Sequence, residues 1–268
     1  MTSSLVALPS GRHLFVEKHD PSTETPNSTP IIFIHGIFGS TNTFRPALSA
    51  FPSRTRILYD LVGHAKSPLS QDIPTVESLA QDVDQILDHF GYIEEKVDVV
   101  AHSAGTIIAI QYALQHARRI RKLVLLGPTS IPIESETKRL LKARAISMRK
   151  FGLEGTVFFI VESGLSDKAK DNQELTAELE KEVLSHDDEG VARIVDAMAL
   201  FECDDKPSSW DVDTIIIAGV EDVMSTLDDA AKTAEWTQGK VFKLNTGHQF
   251  ILEDPEGTRE LLKSILDV

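Results

Sequence analysis

The sequence predicts an α/β fold: a mostly parallel central β-sheet flanked by helices, with a helical cap inserted after the sixth strand. Two regularities carry that expectation. Short β-branched apolar runs recur between longer stretches of helical periodicity, which is the alternation of βαβ units. The alternation breaks once, over residues 131–202, where charged helical segments replace it. With 268 residues and 41% hydrophobic content, the chain suits one large body carrying an insertion. The core is expected over 1–130 and 203–268, and the cap over 131–202.

Taken in order, a first meander is expected near residues 14–18, followed by a Pro/Ser/Thr-rich turn over 21–30. Buried strands follow at 30–34, 56–59, 97–101, 122–126, 214–218 and 240–244, each a near-continuous apolar run of the kind covered on both faces. Between them, Val76, Leu79, Ala80, Val83, Ile86 and Leu87 repeat at the spacing of one core-facing helical stripe. Residues 104–116 and 256–266 are likewise helical. Within the interruption, helices are expected at 138–151, 173–185 and 189–201. An insertion of this kind most often serves as a lid over a site.

Composition narrows the function classes. A formal net charge of −14 argues against nucleic acid or an anionic membrane surface as partner, since both require a basic footprint. A small, largely neutral ligand fits better. The single cysteine, Cys203, allows no intramolecular disulfide and no cysteine-rich metal spacing. The first residues lack a basic start followed by a long apolar run, and no stretch approaches a bilayer span, so a cytoplasmic protein is expected.

The chemistry concentrates after strand ends. Ala101-His102-Ser103-Ala104-Gly105 joins an apolar strand to a helix, the setting of a nucleophile elbow, where the residues two before and two after the serine must be small. The first of these is Ala in place of the commoner Gly. A serine hydroxyl needs a base. His248, in Thr246-Gly247-His248-Gln249-Phe250, follows the last strand on the side where parallel strands gather catalytic groups. A third group should hold its tautomer, and Asp222 follows the preceding strand; Glu221 is the nearest rival. The chain order Ser, Asp, His is the one such a fold uses. His35-Gly36-Ile37-Phe38-Gly39, after the first central strand, offers a turn whose Ile37 or Phe38 amide could join that of Ala104 in an oxyanion hole. His35, Gly36 and His102, at these two turns, are expected to touch the substrate.

These motifs together make the sequence resemble the α/β-hydrolase family, in the branch of small esterases, lactonases and C–C bond hydrolases. The likeness runs over nearly the whole chain. It includes Asp60-Leu61-Val62-Gly63-His64-Ala65-Lys66-Ser67, similar to the family's D-x-x-G-x-G-x-S segment with Ala65 at the second Gly, and Gly247-His248 followed by Glu253 and Pro255. Members with an Asp nucleophile process halides and epoxides, and Ser103 disfavours those chemistries. Members that place the acid before the cap have no counterpart here, because Gly127-Pro128-Thr129-Ser130 carries no carboxylate. The resemblance implies hydrolysis of a small neutral ester or lactone by Ser103, His248 and Asp222, with no metal or organic cofactor. It also leaves two alternatives. One is a receptor for a butenolide-type ligand with slow hydrolysis. The other is a cofactor-free lyase, oxygenase or C–C hydrolase that uses the Ser/His pair differently.

Overall fold

The inner apolar runs become strands because both faces of the sheet are covered there, so each inner strand alternates between two cores. In the computed structural model, which describes residues 1–22, 29–203 and 210–267, these strands join an eight-stranded sheet. They are β1 (Thr2–Ala7), β2 (His13–His19), β3 (Ile31–Ile34), β4 (Arg56–Tyr59), β5 (Val97–His102), β6 (Ile120–Leu126), β7 (Asp213–Gly219) and β8 (Lys240–Leu244), in spatial order β1-β2-β4-β3-β5-β6-β7-β8. The pairs from β4 to β8 are parallel, while β1 and β2 add an antiparallel edge. Ile32, Ile34, Val99 and Ala101 face one core, and Ile31, Phe33, Val100 and Val124 face the other. That is the period of two read against two covered faces.

The helices are α1 (Thr41–Phe44), α2 (Val76–His89), α3 (Ala104–His116), α4 (Ser135–Phe151), α5 (Glu154–Gly164), α6 (Asp167–Lys170), α7 (Gln173–Val183), α8 (Asp188–Leu200), α9 (Leu227–Thr237), α10 (Phe250–Glu253) and α11 (Pro255–Leu266). The apolar stripe of α2 joins α3 in the first core, and α11 joins the second with the turn Arg45–Ala50. Thr75 starts α2 with a capping box to Ser78.

Helices α4 to α8 leave the sheet after β6 and return at β7, the position expected of the cap. They enclose their own small core of Ala145, Met148, Ile160, Val183, Val191 and Val195, and Phe38 of the core domain is a member of that cluster. The cap also docks by backbone contact. A β-carbon on Gly63 would fall 2.5 Å from the Gly190 Cα, so two glycines are needed where the start of α8 meets the loop after β4.

Several elements differ from the sequence reading: the one-turn helices α1, α6 and α10 are additional, and β8, expected as a buried strand, has four of its five residues exposed because it closes the sheet as an edge. β1 is an additional strand; five of its six residues are exposed, so it shows no apolar alternation and owes its form to pairing with β2. α5 contains Val157-Phe158-Phe159-Ile160-Val161, residues of high strand propensity, yet Ile160 and Val161 insert into the cap core and tertiary packing wins. α9 begins with a capping box between Thr226 and Asp229, a local signal that does mark it in the sequence. The turn expected over 21–30 falls largely on 23–28, outside the described residues, as does the stretch 204–209 just past the expected cap boundary. Among the described residues, no helix is long and apolar enough to cross a membrane.

Candidate active site

The chain runs from β3 to a neighbour on one side, β4, and then to β5 on the other, so the loops after β3 and β5 open side by side at a switch point of the sheet. The first holds His35 to Gly39 and the second holds Ser103. Ser103 sits at φ 54°, ψ −126°, a conformation that a non-glycine residue holds only when its surroundings enforce it. Enforcement comes from β5 behind it and α3 ahead, with its own N–H donating to the Leu126 carbonyl at 2.9 Å. The turn at Ser103 is tight enough to constrain its flanks. A β-carbon on Gly105 would lie 2.5 Å from the Ile34 carbonyl oxygen, so glycine is required there, while Ala101 is fully buried in the strand.

Ser103, His248 and Asp222 form a continuous hydrogen-bonded chain. The Ser103 hydroxyl donates to His248 Nε2 at 2.8 Å, and His248 Nδ1–H donates to Asp222 Oδ2 at 2.8 Å. Asp222 is buried, and its second oxygen accepts the N–H groups of Met224 and Ser225, both at 2.8 Å. Every lone pair that matters is therefore assigned, which fixes the carboxylate and through it the imidazole. Glu221 points elsewhere: its carboxylate accepts the N–H of Asp167 in the cap at 3.2 Å.

The turn after β3 is closed by the Gly39 N–H on the Gly36 carbonyl at 3.1 Å, and Phe38 takes φ 64°. Among the described residues, no hydrogen bond uses the N–H of Ile37, Phe38 or Ala104. Ala104 opens α3, so its amide lies at the positive end of a helix dipole. Gly36 packs directly on Ser103; a β-carbon there would come within 2.6 Å of Ser103 Cβ.

The three residues expected to touch substrate divide differently. His35 is buried and spent on structure: its Nε2 accepts the Leu61 N–H at 2.9 Å and its Nδ1–H donates to the Gly36 carbonyl at 2.8 Å. It braces the turn and, like Gly36, lies off the cavity wall described below. His102 reaches that wall, but its Nε2–H donates to the His248 carbonyl at 2.8 Å. Burial, then the neighbouring His248, brings His102 down to about 3, and burial does the same to His35. Both stay neutral at physiological pH.

Residues beyond the triad of the sequence reading also hold the loop of His248. The His248 and Gln249 N–H groups both donate to the carbonyl of Gly164, at the end of α5 in the cap. The Glu253 carboxylate accepts the N–H of Gly247 at 3.0 Å and of Ser166 at 3.1 Å, bridging the histidine loop and the cap. Glu253 carries a family motif position in the sequence, but nothing in the sequence points to Gly164.

Histidine burial has a consequence for stability. His35, His64 and His186 form a stack with ring centroids 5.5 and 5.1 Å apart. Burial lowers all three and His102, so their folded-state values lie below the unfolded one and the unfolded chain binds more protons in acid. Their neutral state thus confers stability that is lost as pH falls below about 6.5. Asp60 and Asp82, raised to about 6 by burial, act in the opposite direction between about 6 and 4, two groups against five once His19, also lowered by burial, is counted. The thermal midpoint is expected to fall by on the order of 10 °C between about pH 7 and 5, measured by calorimetry. A midpoint that holds or rises over that range contradicts the neutral stack.

The chain is similar to known proteins in sequence and in fold. The sequence model of the alpha/beta hydrolase fold family matches residues 29–159. A probable lysophospholipase, BODYGUARD 3 of Arabidopsis thaliana, is 34% identical over 51% of this chain, and the chain spans only 28% of its length. 3-Oxoadipate enol-lactonase 1 of Acinetobacter baylyi is 25% identical over 92% of this chain and 90% of its own. A thermophilic esterase from Thermogutta terrifontis superposes with a TM-score of 0.86 at 20% identity, covering 100% of this chain and 98% of that one. With its sheet order, its tight turn at Ser103 after β5 and its helical insertion after β6, this chain has the α/β-hydrolase fold.

Proposed function

We propose that the protein is a serine hydrolase that cleaves a small, largely neutral carboxylic ester or lactone through an acyl-enzyme. The observation that carries this reading is the unbroken chain from Asp222 through His248 to a Ser103 hydroxyl held in a strained turn. Neutral His248 takes the hydroxyl proton as Ser103 Oγ attacks the carbonyl carbon. The negative charge that develops on the carbonyl oxygen is met by the Ala104 amide and that of Ile37 or Phe38. The imidazolium, stabilised by Asp222, returns its proton to the leaving alkoxide. Water, deprotonated by the same imidazole, then attacks the acyl-enzyme and frees Ser103. No step calls for a metal or an organic cofactor.

The names of relatives, an enol-lactonase and a lysophospholipase among them, point to the same bond class. The test is a screen of neutral esters and lactones with purified protein, followed by rapid-mixing kinetics on the best substrate. Multiple turnovers with a burst of alcohol near one equivalent are expected where deacylation is slower. A bound ligand that is never turned over would instead support a receptor.

A further inference from the structure

A cavity of about 350 Å³ lies between α7 of the cap and the region of α1 and α10. It adjoins the catalytic constellation through Ile37 and Phe38 of the oxyanion turn, His102 beside the nucleophile, and Gln249 beside the base. Most of its wall is apolar. Two carboxylates project from α7, Glu178 and Glu182, one helical turn apart, and no lysine or arginine shares the wall among the described residues. The two differ in engagement. Glu182 accepts the Ser40 hydroxyl and, at 3.4 Å, the Asn42 amide, which ties α7 to α1. Glu178 is exposed and has no hydrogen-bond or ion-pair partner among the described residues.

Resting on the reading of Ser103 as nucleophile, we propose that this cavity receives one side of the scissile ester and that Glu178 and Glu182 make it a charge filter. Esters or lactones with a carboxylate on that side are refused, uncharged ones are admitted, and those bearing an ammonium group are favoured. The physics is asymmetric. An anion entering the cavity gives up hydration, meets two like charges and finds no cation to replace its water. An ammonium group enters beside the unpaired Glu178 and gains a partner. Specificity of this sort comes from the repulsive element as much as from the attractive one. The chain's net charge of −14 acts in the same direction at longer range, slowing the encounter with anions.

The test uses the full chain and matched esters ending in methyl, carboxylate or trimethylammonium, with the end group on the acyl side in one series and on the alcohol side in the other. In one of the two series, kcat/KM for the carboxylate ester is expected to be at least about tenfold below that for the methyl ester, with the ammonium ester at or above it. Glu178→Gln should narrow the ammonium-to-carboxylate ratio by about three- to tenfold, and Glu178→Lys should narrow it further or invert it. Added salt should compress the wild-type ratio. Glu182→Gln supplies a second variant on the same wall. Equal kcat/KM for all three end groups in both series, or a ratio unmoved by any of the three substitutions, overturns the filter. If methyl esters are cleaved and Ser103 reacts with a fluorophosphonate, that failure leaves the hydrolase reading standing; if no ester is cleaved and Ser103 does not react, both fall.

Discussion

Replacing Ser103 with alanine is expected to lower kcat/KM for any ester the protein cleaves by on the order of 10⁵ or more, with the thermal midpoint within a few degrees of wild type. The size follows from the role. Without the hydroxyl there is no acyl-enzyme, and only the amides of the oxyanion turn and substrate positioning remain, which leaves a small residual rate over water. The fold should tolerate the change, because alanine keeps the backbone and Cβ that the elbow already accommodates at φ 54°. Initial rates on the best screened substrate, with calorimetry on both proteins, check the two halves of this expectation.

Asp222→Asn is expected to cost about 10⁴ in kcat, and Glu221→Gln no more than a few-fold. Both Asp222 oxygens act as acceptors, one for His248 Nδ1–H and the other for two backbone N–H groups. Asparagine has one oxygen and one NH₂. Keeping the backbone bonds turns the NH₂ towards His248, which then carries its proton on Nε2 and can no longer accept one from Ser103. Turning the amide round opposes its NH₂ to the N–H groups of Met224 and Ser225 and strains the loop. Glu221 serves the Asp167 N–H on the cap and has no such constraint. Steady-state kinetics on the two variants decides between the carboxylates; a larger loss at Glu221 reverses the assignment.

What was legible in the sequence is what sterics and strand order write locally. The tight turn at Ser103 is readable because Gly105 answers to a contact a few ångströms away, the Ile34 carbonyl that leaves no room for a β-carbon. Asp222 follows the buried apolar run of β7 and His248 follows β8, an exposed edge strand marked by less; their placement is readable because parallel strands deliver their ends to one edge. The sheet's inner strands are readable from their apolar runs, whereas β1, exposed at the edge, is not. Contacts between distant segments stayed hidden. Nothing near His35 says that its ring braces Leu61, and nothing near Gly164 says that its carbonyl holds the histidine loop 84 residues on. The charge of the cavity belongs to the same class, since Glu178 and Glu182 read as an ordinary solvated helix face until α7 is placed across a cavity from the turn after β3. α5 shows the opposite failure: its local residues favour a strand and its packing makes a helix.

The central claim is that Ser103 is a nucleophile activated by His248. Intact-mass spectrometry of the protein treated with a fluorophosphonate, followed by peptide mapping, tests it most directly. A single adduct on Ser103, absent in Ser103→Ala and formed orders of magnitude more slowly in a His248→Ala variant, is the predicted result. An ester-hydrolysing protein that takes no adduct, or takes it on another residue while Ser103→Ala keeps its turnover, would contradict it.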